Sequence, residues 1–86
     1  MDLGYLDMTI ERLIAIPDRG TVVVGTIVMG SIRPGDVVEF RGVRARCAAI
    51  ERYRDLLEVA VEGDRVGVLL AGVRPSDLTA TQTEPS

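Results

Sequence analysis

A nine-residue run, Thr21 to Met29 (TVVVGTIVM), constrains the fold of this chain more than any other feature. It is dominated by β-branched residues, which are stiff at χ1 and pack well on a pleated surface. Turn chemistry brackets the run. Pro17-Asp18-Arg19-Gly20 precedes it, and Arg33-Pro34-Gly35-Asp36 follows, with Pro setting φ at one turn position and Gly tolerating positive φ at the next. Asp36 to Phe40 and Arg65 to Leu70 read as further short strands, Arg41-Gly42 as a hairpin turn, and Glu62-Gly63-Asp64 as the opening of the strand at Arg65. Val43 to Arg52 alternates: Val43, Ala45, Cys47 and Ala49 are expected on one face, Arg44, Arg46, Ala48 and Ile50 on the other. Met8 to Ile16 fits either a helix or a strand. Asp55 to Val61 is the one stretch expected to form a turn of helix, and Thr79 to Ser86 is expected to be a fraying polar tail. Short strands at this spacing predict an all-β domain, a small barrel or sandwich.

Composition removes several chemistries. The 86 residues suffice for one domain, and 47% hydrophobic against 27% charged residues describes a globular chain. Tyr5, Phe40 and Tyr53 are the only aromatics, so the core must be aliphatic. With no His and no Lys, a His-based triad, a Schiff base and a GxxxxGK[ST] phosphate loop are all excluded. Cys47 is alone, so neither an internal disulfide nor a thiolate metal cage can form. No catalytic residue, metal or cofactor is expected, and the protein is read as a non-enzyme. No apolar run is long enough for a membrane helix, and the acidic N-terminus is no signal peptide, so the expected setting is cytoplasmic with no membrane partner.

The net charge is −3, but its distribution is uneven. Residues 41–54 hold five arginines against Glu51, a local +4, whereas residues 55–86 carry −4. A basic band on an acidic body fits either a solvated strand face or a limited contact with RNA phosphate.

Four blocks occur in an order and spacing that resemble the second domain of elongation factor Tu and related translational GTPases. They are Asp18 to Gly25 (DRGTVVVG), Gly30 to Asp36 (GSIRPGD), Ile50 to Arg54 (IERYR) and Gly63 to Val73 (GDRVGVLLAGV). The resemblance covers residues 8–83 and implies a closed six-stranded antiparallel β-barrel over 8–80, with 1–7 as an N-terminal extension and 81–86 as a polar C-terminal tail. In that family the barrel accompanies a GTP-binding domain, which is not read in these 86 residues. Asp64-Arg65-Val66-Gly67 matches DxxG, but without a phosphate loop it is read as a turn and a small strand residue, and no direct GTP binding is expected. Met1 and the polar ending suggest a stand-alone chain; a fragment of a larger translational GTPase is the alternative.

The resemblance also implies candidate site residues. In elongation factor Tu the barrel holds the 3′ end of aminoacyl-tRNA. By resemblance, Glu51 stands at a glutamate beside the terminal adenosine, Ile16, Val22 and Leu69 at its apolar pocket, Arg54 near the aminoacyl ester, and Glu11 near the amino-acid side. The chemistry is coherent: branched aliphatics flank a base, a carboxylate accepts from hydroxyl or amine, and Arg meets phosphate or carbonyl oxygen. A separate observation concerns Thr21 to Met29. By resemblance and by the position of Gly25, the inward set is expected to be Thr21, Val23, Gly25 and Ile27, which leaves Val22, Val24, Thr26 and Val28 outside with Met29 following. An antiparallel strand ordinarily turns polar residues outward, so Val22, Val24, Val28 and Met29 are candidates for a surface covered by a protein partner or a second copy. The sequence is thus read first as a non-catalytic module acting through protein–protein or self-association, and alternatively as an RNA-binding module that recognises a tRNA 3′ end.

Overall fold

The computed structural model describes residues 4–82. Ten strands and one short helix follow in order: β1 Gly4–Tyr5, β2 Asp7–Met8, β3 Arg12–Ile16, β4 Gly20–Met29, β5 Ser31–Ile32, β6 Val37–Phe40, β7 Val43–Arg52, β8 Asp55–Leu56, β9 Ala60–Val61, β10 Arg65–Ala71 and α1 Pro75–Gln82. The main sheet runs β1-β6-β7-β10-β4-β2, with β3 on β4 and β8 on β7. Because β1 and β2 are separated by Leu6 alone, the two ends of this path are the same stretch of chain. The sheet therefore curls into a small, nearly closed β-barrel. Most pairings are antiparallel, and β1 runs parallel to β6. Residues 4–7, expected as an extension, are part of the barrel: Gly4 and Tyr5 pair with β6, and Asp7 pairs with β4. This segment seals what would otherwise be two open edges.

Strand β4 alternates as its sequence predicts. Thr21, Val23, Gly25 and Ile27 are buried, Val22, Val24 and Thr26 are half-buried, and Val28 and Met29 are exposed. Gly25 is required by packing, since a Cβ there would collide with the carbonyl of Thr9. The core is aliphatic around Val23, Ile27, Ile32, Ile50, Val68 and Leu70, with Phe40 its one aromatic. Tyr5 and Tyr53 face solvent. The β6–β7 hairpin turns on Arg41 and Gly42, both at positive φ, as a two-residue turn of the primed kind requires.

One ambiguity is resolved and two local expectations are corrected. The Met8–Ile16 ambiguity resolves as strand over Arg12–Ile16, because β4 offers a pairing edge along its whole length. Asp55 to Val61 forms no helical turn: Leu56 pairs with Glu51, the Leu57 N–H donates to the Ile50 carbonyl, and Ala60 pairs with Ile32. Long-range pairing overrides local propensity there. Finally, residues 75–82 form a helix rather than barrel followed by tail. Pro75 occupies the first turn, the Asp77 carboxylate accepts the Arg74 N–H at 3.0 Å, and Leu78 is fully buried against the barrel. Residues 83–86 of the expected tail lie outside the described residues. No helix among the described residues is long and apolar enough to cross a membrane.

The alternation along β7 also departs from expectation. Leu70 faces Cys47 and Leu69 faces Ala49, so Ala48 is an extra residue, a β-bulge. Ala45, Cys47 and Ile50 consequently point inward, while Arg44, Arg46 and Glu51 are exposed. The bulge moves Ala49 and Ile50 to the faces opposite those that strict alternation assigns.

Candidate functional site

The outer face of β3, β4, β10 and β7 builds a shallow trough. Its rows follow from register: Ile14 opposes Val22, Val22 opposes Leu69, and Leu69 opposes Ala49. In the next row Arg12 opposes Val24, Val24 opposes Gly67, Gly67 opposes Glu51, and Glu51 opposes Leu56. Directly opposed residues project on the same face. The first row is entirely apolar, and the second has a gap in the middle at Gly67. A Cβ at Gly67 would lie 3.0 Å from Val22 Cγ1, so this glycine keeps the floor of the trough low.

Two connected depressions result. The smaller, about 270 Å³, is floored by Val22, Leu69, Ala49 and Gly67, with Ile16 and Leu56 on its walls and Glu51 and Arg19 at its rim. The larger, about 470 Å³, shares Ile16, Val22, Glu51 and Gly67 and extends past Val24 towards Arg65 and Asp64. Four of the residues assigned by resemblance to a nucleotide pocket, Ile16, Val22, Glu51 and Leu69, thus line one groove.

The charges around it are not equivalent. Arg65 grips Glu11 at 2.6 Å through its terminal nitrogen, with Nε also donating to the same carboxylate. That hydrogen bonding, with the attraction of the guanidinium, holds the Glu11 carboxyl below the usual carboxylate range. Arg52 lies 3.5 Å from Asp64, whose other oxygen caps the turn by accepting the Val61 N–H. The Glu51 carboxylate takes part in none of the ion pairs or hydrogen bonds among the described residues. It is an exposed acceptor at the lip of an apolar groove. Such an arrangement suits a flat, weakly polar group that presents hydroxyl or amine donors at its edge.

The remaining candidates fall elsewhere. Arg54 sits at the exposed tip of the β7–β8 hairpin and lines neither depression. Glu11 stands beside the trough but is committed to Arg65. The proposed interface set divides in two: Val22 and Val24 lie in the trough, whereas Val28 and Met29, 44% and 65% exposed, sit at the other end of β4. Sequence reasoning missed Ala49, Leu56 and Arg19. Ala49 belongs inward in a strand without the bulge, and Leu56 falls in the stretch expected as a helical turn. Arg19 carried no signal beyond its place in a turn.

The fold is that of a small, nearly closed β-barrel with a rimmed apolar groove on its outer sheet face. The family is specific. Residues 20–83, well over half the chain, match the model of elongation factor Tu domain 2, and the chain belongs to that family.

Proposed function

We propose that this protein is a non-catalytic RNA-binding module. It receives the unpaired 3′-terminal nucleotide of an RNA, by family resemblance the aminoacyl-tRNA 3′ end, in the groove between β3, β4, β10 and β7. The observation that carries this reading is the convergence of Ile16, Val22, Leu69 and Glu51 on one groove of about 270 Å³. Val22, Ile16 and Leu69 supply apolar contact to a base face, and Glu51 accepts from a ribose hydroxyl or base amine. The same groove serves whether the chain acts alone in the cytoplasm or as part of a larger translational GTPase.

The test is a titration of single-stranded CCA-ended RNA with the wild-type chain and with Glu51→Gln, which keeps the shape and removes the charge. We expect the variant to bind at least fivefold more weakly. Equal affinity, or no binding by the wild-type chain at low salt, would remove the reading.

The exposed pair Val28 and Met29 favours a second reading, a protein partner or a second copy seated at that end of β4. Light scattering after size exclusion separates the two, because a monomer at high concentration leaves the RNA groove intact as an account and removes self-association.

A further inference from the structure

The bulge at Ala48 has a consequence for the charge pattern of the surface. On either side of it the outward residues of β7 are Arg44 and Arg46, then Ala49 and Glu51. The arginines and the groove residues therefore share one face of one strand, which strict alternation would forbid. Between Arg46 and Glu51, Cys47 and Ile50 are buried and only Ala48 and Ala49 reach the surface, so β7 itself raises no long side chain across the path.

The arginines are available. The ion pairs within 4.0 Å among the described residues are Arg52–Asp64, Arg65–Glu11 and Arg74–Asp77. Arg44 and Arg46 enter none of them, although Glu39 lies opposite Arg44 in register. Row order extends the face further: Arg44 opposes Glu39, and Glu39 opposes Tyr5, which is 75% exposed. Val37, also outward, opposes Arg46. Alternate residues on a strand are roughly 6.6 Å apart, close to the separation of successive phosphates on an extended nucleic-acid strand. Arginines at alternate positions of the strand with an exposed phenol nearby suit a single strand of RNA, whose phosphates meet Arg and whose bases stack on an aromatic ring. An acidic protein surface would use the arginines but has no need of the ring.

We infer that the outer face of β7 is a track for single-stranded RNA, leading away from the terminal-nucleotide groove. The terminal base occupies the groove beside Glu51, Arg46 and Arg44 take the phosphates of the nucleotides upstream of it, and Tyr5 offers a stacking face at the far end. This rests on the groove binding an RNA 3′ end, as proposed above.

The test is calorimetric titration of the full chain with adenosine, with the single-stranded RNAs CCA and GCACCA, and with a hexaglutamate peptide, each at two salt concentrations. Adenosine should bind with little salt dependence. The hexamer should bind at least tenfold more tightly than CCA, and its affinity should fall with salt by a slope of about 0.7 per phosphate neutralised. Arg44→Gln with Arg46→Gln, both at exposed positions, should abolish the gain with length and leave adenosine binding unchanged. Tyr5→Ala should reduce the hexamer's advantage alone. Adenosine binding without any gain from CCA to GCACCA would overturn the track while sparing the groove. A length gain that the double variant removes, with no adenosine binding, would overturn the groove reading and keep an RNA surface on β7. Hexaglutamate matching the RNA hexamer would overturn RNA as the ligand of this face.

Discussion

Glu51 stands directly across from Gly67, in register between β7 and β10, so its carboxylate overlooks a position without a side chain. That pairing sets the depth of the groove and leaves its acceptor uncovered. Filling Gly67 should therefore block binding without touching a charge. Gly67→Ala places a methyl 3.0 Å from Val22 Cγ1, which must shift by a few tenths of an ångström; we expect a stability loss of about 1 kcal/mol and two- to fivefold weaker RNA binding. Gly67→Val should weaken binding more than tenfold. Thermal unfolding and RNA titration of both variants check this, and unaltered affinity in Gly67→Val would place the ligand elsewhere.

The Glu11–Arg65 pair makes a prediction about pH. Because Arg65 lowers the Glu11 pKa in the folded state, the stability it contributes is present above the carboxyl's unfolded pKa. It is lost as pH falls through the lower folded value. Both side chains are well exposed, so the contribution is small and weakens with salt. Melting curves of wild type and Glu11→Gln should differ slightly at pH 7 and converge in the acid range, the convergence lying below the ordinary glutamate pKa. Because Glu11 is already committed to Arg65, the same variant should bind adenosine within twofold of wild type.

Among the described residues Thr21 is the one buried polar side chain, and its hydroxyl donates to the Val73 carbonyl across 52 positions of sequence at 2.5 Å. The bond ties the start of β4 to the chain that leads into α1. Thr21→Val keeps the shape and strands the carbonyl, at a cost of about 1–3 kcal/mol. Chemical denaturation should register that loss. Thr21→Ser, which keeps the hydroxyl, should recover part of it.

Cys47 is buried in the core, and burial pushes its thiol up to about 11. It is a packing residue with a protonated sulfur at neutral pH. Alkylation in native buffer should proceed at the rate of global or local opening and be fast only in denaturant. Rapid native labelling would contradict the placement of β7.

Much of the barrel was legible because β4 announces itself: a β-branched run with turn residues on both sides admits few folds, and its inward set follows from the parity of Gly25. The groove was legible only through resemblance. Composition alone does not bring Ile16, Val22, Leu69 and Glu51 together; the register of four strands does. What stayed hidden has one physical origin, namely structure decided by distant pairing. The bulge at Ala48 arises between β7 and β10 and leaves no mark on an alanine-rich stretch. The N-terminal segment has no strand pattern of its own and is recruited by the free edges of β6 and β4. Helix α1 is the exception, since Pro75 and Asp77 carried capping signals that a polar composition obscured.

The most direct test of the account is to map backbone amide shifts of the isotope-labelled chain during titration with CCA. The largest, saturable perturbations are expected at Val22, Glu51, Gly67 and Leu69, with Val28 and Met29 unmoved. Perturbations confined to the Val28–Ser31 end of β4, or none at all at saturating RNA, would contradict it.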